Sequence, residues 1–299
     1  VRFHPEGTAA TEEEDAALGP GFGGLLRSLF SKIQWGERTT HEEILVVPAP
    51  AGRAITIYNA NGKTRVIGED REDVQIRICK SVRADCPDLA AKLLDSIRLQ
   101  SSNSVDVLEI EVQIPRKCSR HAVAHIELCV PRDTEITLSS TNGKICLEGL
   151  ERPIHARSSN GSVSISEVAG DIDVTTANAK VTCRCTQGHL RARSSNGKIE
   201  VESHIGSIDA ATSNGVIRAS IERLGELGIS LTTSNGRIVL DLPEKPDADV
   251  DIRVENGHIR NDLELMDQTS DVDGRVRGRL GAGGTPIRLR TSNGTISLR

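Results

Sequence analysis

Cys118, His121, His125 and Cys129 place four metal-binding side chains within one short stretch. Zinc is held by thiolate and imidazole ligands at about 2 Å, so this is the first candidate for chemistry. The residues between them argue against one shared ion. Ala122, Ala124, Ile126, Leu128 and Val130 alternate with polar residues, the mark of a strand with one buried face. His121, His125 and Cys129 then point the other way, and residues four apart in a strand are separated by about 13 Å. Cys183-x-Cys185 reads similarly, because Cys183 falls on an apolar position of a repeat, where a buried thiol behaves as a small hydrophobe.

Acid–base or nucleophilic catalysis would need converging titratable groups. His155, Asp173, Arg191 and Asp209 recur at intervals of 18 residues, and Asp171 adds a carboxylate nearby. Asp171, Asp173 and Asp209 are the nearest approach to the carboxylate cluster of a β-helix enzyme acting on polysaccharide. Such an enzyme needs aromatic sugar platforms. Aromatic residues make up 2% of the chain, and Phe3, Phe22, Phe30 and Trp35 all precede residue 40, leaving Tyr58. The alternating charges read instead as a solvated cross-strand ladder. The sequence has no P-loop, G-x-S-x-G or H-E-x-x-H motif. The expectation is therefore a non-enzymatic protein with no catalytic residues, no metal and no cofactor.

Basic residues also recur. Lys144, Lys180, Lys198 and Arg237 form one outward row, interrupted by Ser162 and Val216, and Arg157 and Arg193 lie on a neighbouring row. Together they are a possible interaction face. A net charge of −5 and a pI near 6.0 give no general attraction to nucleic acid, so none is expected as a partner.

These rows belong to an internal repeat. Asn142, Asn160, Asn178, Asn196 and Asn214 are spaced 18 residues apart, Asn235 and Asn256 follow at steps of 21, and Asn293 comes 37 later. All but Asn178 are followed by glycine. Three residues after each asparagine stand Ile145, Val163, Val181, Ile199, Ile217, Ile238, Ile259 and Ile296, and two residues before the first copies of the next stand Ser158, Thr176, Ser194 and Thr212. Apolar alternation on both sides marks two short strands per repeat. Two architectures share this pattern. In a β-solenoid with coils of about 18 residues, equivalent residues stack directly; in an antiparallel meander, with Asn-Gly as hairpin turn, they lie two strands apart. Uniform asparagine and hydroxyl columns favour the solenoid, with the asparagine amides turned inward as a hydrogen-bonded ladder and Asn-Gly supplying positive φ at the turn. One coil buries too little to fold alone, so the array requires stacking and covered ends.

Residues 1–40 are expected to be a flexible tether with a short amphipathic helix at 25–35. That helix would either lie on a membrane surface or cap the solenoid. No apolar run is long enough to cross a bilayer. Residues 41–135 read as irregular β, with strands near 43–47, 54–58, 74–80, 105–114 and 122–130. A helix near 87–98 has Leu89, Leu93, Leu94 and Ile97 as its apolar face. Residues 136–299 form the repeat region, and 41–299 is also readable as one continuous domain. Seven scattered cysteines without a framework weigh toward a reducing compartment, whereas a chain opening on Val1 leaves export open. Residues 291–299 end on a repeat strand without a following cap, which predicts weak self-association through a C-terminal edge.

The chain resembles the bacterial putative-adhesin family of β-strand-repeat domains of unknown function. The resemblance rests on repeated T-x-N-G-x-I/V motifs, here Ser140-Thr141-Asn142-Gly143-Lys144-Ile145 and Thr233-Ser234-Asn235-Gly236-Arg237-Ile238. It rests also on an early Asn61-Gly62, on Val130-Pro131-Arg132-Asp133 before the repeats, and on the closing run from Gly281 to Ile296. It implies an all-β solenoid acting as a scaffold or adhesin-like interaction module with a protein or cell-surface partner. The alternatives are the polysaccharide enzyme and a membrane-tethered regulatory domain.

Overall fold

The computed structural model describes residues 38–299 apart from 85, 116–121 and 272–273. The amphipathic helix expected at 25–35 and two of the metal-type residues, Cys118 and His121, lie outside the described residues. Residues 38–40, assigned to the tether from sequence, already belong to a strand.

The chain opens with β1 (Arg38–Pro48), β2 (Ala54–Asn61), β3 (Thr64–Glu69) and β4 (Asp73–Arg83), then α1 (Pro87–Ser96). There follow β5 (Arg98–Asn103), β6 (Val107–Gln113), β7 (Ala122–Pro131), β8 (Glu135–Asn142), β9 (Ile145–Glu148), β10 (Ile154–Ser158), β11 (Val163–Ala169) and β12 (Ile172–Thr176). The last are β13 (Val181–Ser194), β14 (Ile199–Asn214), β15 (Ile217–Asp241), β16 (Ala248–Asn261), β17 (Met266–Asp271), β18 (Arg275–Leu280) and β19 (Thr285–Leu298).

Register decides between the two architectures. Ile154 pairs with Ile172, Ile172 with Leu190, and Leu190 with Ile208, all in parallel strands. Equivalent residues of successive repeats are thus direct neighbours, and the fold is an all-β solenoid rather than a meander. Each coil contributes a strand before the Asn-Gly turn to one layer and a strand after it to the other. The apolar columns meet between the layers: Ile145, Val163, Val181, Ile199, Ile217 and Ile238 are at most 1% exposed. Apolar burial of this kind is worth roughly 25 cal/mol per Å2 and supplies the main cohesion between layers.

The coil order departs from the sequence order at both ends. β2 lies between β6 and β8, and β19 lies between β15 and β16. The N-terminal region is therefore part of the same stack, with β2–β3 and β6–β7 acting as coils. Antiparallel strands extend the N-terminal end: β5 beside β6 in one layer, β4 and β1 beyond β7 in the other. At the opposite end, β18 pairs antiparallel with β16, and β17 with β18. This overturns the basis for a C-terminal edge. The final strand is interior to the stack, with Ile296 and Leu298 fully buried. The 262–290 segment places β18 and β17 outside the first half of β16 and returns the chain to the inner side of β16.

Helix α1 begins with Pro87, whose fixed φ suits the first turn. It buries Ala90 and Leu94 and packs mainly against β4, with Ile97 buried just beyond its end. Leu89 departs from the expected apolar face and is 43% exposed.

Candidate interaction surface

The asparagine column forms the corner between the two layers. Asn160 Nδ2 donates to Asn142 Oδ1 at 3.0 Å, and the same bond repeats at 2.9 Å from Asn178 to Asn160, Asn196 to Asn178, Asn214 to Asn196, and Asn235 to Asn214. Asn293 continues it to Asn235, and Asn256 to Asn293 at 3.1 Å. These side chains are exposed, not turned inward as expected. Each amide offers two donors and two acceptor lone pairs; between the end members Asn142 and Asn256 the ladder uses one of each, and exposure leaves the remainder to solvent. The chain spends its interior on apolar columns and places this polar row where its residual hydrogen bonding costs nothing.

The adjoining glycine column meets the expected positive φ at Gly62, Gly257 and Gly294, with φ of 138°, 152° and 152°, but not at Gly161, which is outside the positive-φ region. A Cβ built on it would stand 1.7 Å from the carbonyl oxygen of Gly143 in the preceding coil. Close approach of backbones excludes a side chain there. Ala179 occupies the equivalent place without a positive φ and is buried; nothing in the structure explains how its methyl is accommodated. The hydroxyl column lies just before the corner. Thr212 Oγ1 donates to the Gly197 carbonyl at 3.1 Å and Thr233 Oγ1 to that of Gly215 at 3.2 Å, which ties each turn to the coil before it.

The six basic residues flank this corner, and half of them are neutralised. Lys180 and Lys198 both contact the Glu200 carboxylate. Hydrogen bonds from Lys180 and then Lys198 hold the Glu200 carboxyl down at about 2. Arg193 donates through Nη1 to Asp209 Oδ1 at 3.0 Å and to its carbonyl at 3.0 Å. Lys144, Arg157 and Arg237 are exposed and have no ion pair among the described residues. Sequence reading placed the rows but missed Glu200, whose outward position is otherwise held by Cys146, Ser164, Thr182 and Arg218.

The catalytic and metal candidates acquire other roles. His155, Asp173, Arg191 and Asp209 occupy neighbouring register positions, and Arg191 lies 3.9 Å from Asp209. Asp209 is engaged by Arg193, and Asp171 Oδ1 accepts the His189 backbone N–H at 3.1 Å, so both carboxylates have structural partners. His125 Nδ1 accepts the Lys63 backbone N–H at 3.0 Å. Burial first, then Glu69, pushes the Cys129 thiol up to about 11, and burial alone pushes Cys183 up to about 12. Both stay protonated at neutral pH. Cys185 is exposed. His204, not singled out from sequence, is fully buried with Nδ1 2.9 Å from Thr186 Oγ1, and burial lowers its pKa.

Stacked parallel coils, a glycine-narrowed corner and an outward asparagine ladder define a two-layer β-solenoid repeat domain. The Toastrack DUF4097 family model matches residues 53–299, and the chain belongs to that family. A Bacteroides fragilis structure described as a putative adhesin is similar at 13% identity, covering 87% of this chain and 97% of its own, with a TM-score of 0.50. A Parabacteroides distasonis structure described as a putative lipid binding protein is similar at 10% identity, covering 86% and 96%, with a TM-score of 0.41. No curated protein matches the chain.

Proposed function

We propose that this protein is a non-enzymatic interaction module that offers the asparagine corner to an acidic protein or cell-surface partner. The observation carrying this reading is the charge accounting at the corner: Lys144, Arg157 and Arg237 remain exposed without ion pairs among the described residues, while their neighbours Lys180, Lys198 and Arg193 are paired. A stack with about 4.8 Å between coils presents such groups at fixed intervals along a rigid edge. A long partner can then be engaged at several points, and linked contacts raise avidity well beyond any one of them. The adhesin description of the Bacteroides fragilis structure supports a surface-binding role of this kind.

The test is capture on a surface coated with an acidic polysaccharide, at two salt concentrations. The combined variant Lys144→Glu, Arg157→Glu, Arg237→Glu is expected to lose at least tenfold in retention. The control Lys92→Glu, Arg98→Glu, placed at the helix end of the molecule, is expected to behave as wild type. Equal loss in both variants, or no retention of the wild type at low salt, would refute the corner as the binding face.

A further inference from the structure

Arg157 and Arg193 belong to one outward row that runs along the stack on the layer before the asparagine corner. For most of its length the row keeps its charges apart: Thr175 stands between Arg157 and Arg193, and Ala211 and Thr232 follow. At the far end the pattern changes. Thr232 pairs with Arg290, Arg290 with Arg253, and Arg253 with Arg275, so three arginines stand side by side on β19, β16 and β18. The step between neighbouring strands is about 4.8 Å. Like charges directly opposite one another destabilise a sheet, so this arrangement calls for a counter-charge.

The row two residues away shows what balance would look like. There Arg288, Asp251 and Arg277 alternate in sign across the same three strands. Arg275 takes up the Asp251 carboxylate, donating through Nε at 2.8 Å and Nη2 at 2.7 Å, and Arg277 lies 3.9 Å from it. The hydrogen bond from Arg275 holds the Asp251 carboxyl below the usual carboxylate range. Asp251 therefore neutralises Arg275 and leaves the rest of the face positive. Arg253, Arg288 and Arg290 are exposed and have no ion pair among the described residues. Glu255, two residues beyond Arg253 on β16, pairs with none of them.

We propose that the outward face of β19 and β16 is a docking surface for a linear polysaccharide bearing a carboxylate on each sugar, held by Arg253, Arg288 and Arg290. The Arg275–Asp251 pair shows the bond already in place on this face: a planar guanidinium fork takes both oxygens of a carboxylate. Arg253 and Arg290 offer the same fork to solvent. Spacing separates a polysaccharide from an acidic peptide. An extended peptide sets its same-face side chains about 7 Å apart, wider than the step from Arg290 to Arg253. A polyuronate carries its carboxylate on every unit, and one sugar ring is longer than one extended amino-acid residue and shorter than two. No aromatic ring stands here to stack on a sugar, so the contact is electrostatic and weakens with salt. This rests on the reading of the protein as an interaction module for an acidic partner, and names the polymer and the end of the molecule that holds it.

The experiment is a calorimetric titration of the full chain with polygalacturonate at low and at physiological salt, with the methyl-esterified polymer as the uncharged control. Saturable binding that weakens with salt is expected for the acid, and none for the ester. The double variant Arg253→Gln, Arg290→Gln is expected to bind at least tenfold more weakly, and Arg288→Gln about threefold. The melting temperature of the double variant should match or exceed that of the wild type, because it relieves a like-charge contact. No saturable binding by the wild type, or equal affinity in wild type and double variant, overturns the surface. A fall in melting temperature that accompanies the lost affinity assigns the arginines to the fold and overturns it too. Polyglutamate and dextran sulfate test the source: tighter binding of polyglutamate overturns the polysaccharide in favour of a protein, and binding of dextran sulfate without polygalacturonate overturns the carboxylate. The Lys144, Arg157 and Arg237 variant keeps the two readings apart. Loss of retention in that variant, with the double variant unaffected, leaves the corner standing and removes only this surface; loss confined to the double variant supports this surface and refutes the corner.

Discussion

At the scale of single residues, Glu200 shows how a charge on an outward row becomes structural. Two lysines from adjacent coils converge on it, and its side chain is only 12% exposed. Its folded pKa of about 2 lies below the ordinary value of 4.5. The unfolded chain therefore takes up the proton first as pH falls, and the stabilisation is complete above pH 4.5 and lost between there and about 2. His204 adds a second, independent slope. Burial lowers its pKa below 6.5, so its neutral form belongs to the fold, and stability declines as pH drops from 6.5 toward the folded value. Glu200→Gln is expected to cost about 1 kcal/mol at pH 7, because both lysines are partly exposed and water screens the pair. The difference from wild type should disappear by about pH 2, which urea unfolding at several pH values would measure. A difference that stays constant with pH would mean that Glu200 acts through packing. The basic residues themselves were visible in the sequence as rows. Their pairing was not, since it depends on side-chain reach across coils rather than on spacing.

The two kinds of turn show how far elements could be read from residue types. The Asn-Gly corner announces itself, because few residues other than glycine fit against a backbone one coil away. The opposite turn is silent in the sequence. Its left-handed residues are Gly149, then Glu167, Cys185 and Ser203 at φ of 55°, 51° and 53°, one per coil at 18-residue steps. Only the first is glycine, so nothing in composition marks the column, although each of the other three carries the strain of a Cβ in that region. The strands added antiparallel at the ends, β5 and β18, were equally hard to foresee, since they lie outside the repeat. A pair of substitutions tests the contrast. Glu167→Gly should be neutral or stabilise by up to about 1 kcal/mol by relieving strain. Gly161→Ala should destabilise by about 2 kcal/mol or more, because its methyl would meet the Gly143 carbonyl and the coils would have to part. Thermal unfolding of the two variants in parallel reads both effects, and a loss at Glu167→Gly equal to that at Gly161→Ala would show that φ at residue 167 imposes no penalty.

Across the whole molecule, periodicity fixes that coils stack but not the order in which they do so. Asn256 and Asn293 match the same column equally well, and only the path of the chain through β17 and β18 places β19 inside β16. The consequence falls on the edges. Ile296, which a reading in sequence order places near an open end, is fully buried and pairs with Ile238 on one side and Ile259 on the other. The apolar edge lies at the opposite end of the stack. β1 pairs with β4 along one side, has no strand on its other side among the described residues, and exposes Ile44 at 52%, Leu45 at 40% and Val46 at 55%. Its acidic residues, Glu42 and Glu43, precede this apolar run instead of interrupting it. An edge strand of that composition invites pairing with another chain, and inserted lysines are the usual protection. The double variant Ile44→Lys, Val46→Lys is therefore expected to reduce self-association at high concentration while leaving the melting temperature within a degree or two. Ile296→Lys should instead lower the melting temperature steeply, since it buries a charge between paired coils. Sedimentation with parallel thermal unfolding separates the two. A wild type that remains monomeric at high concentration, or a double-lysine variant that associates as the wild type does, would show that β1 is not the adhesive edge.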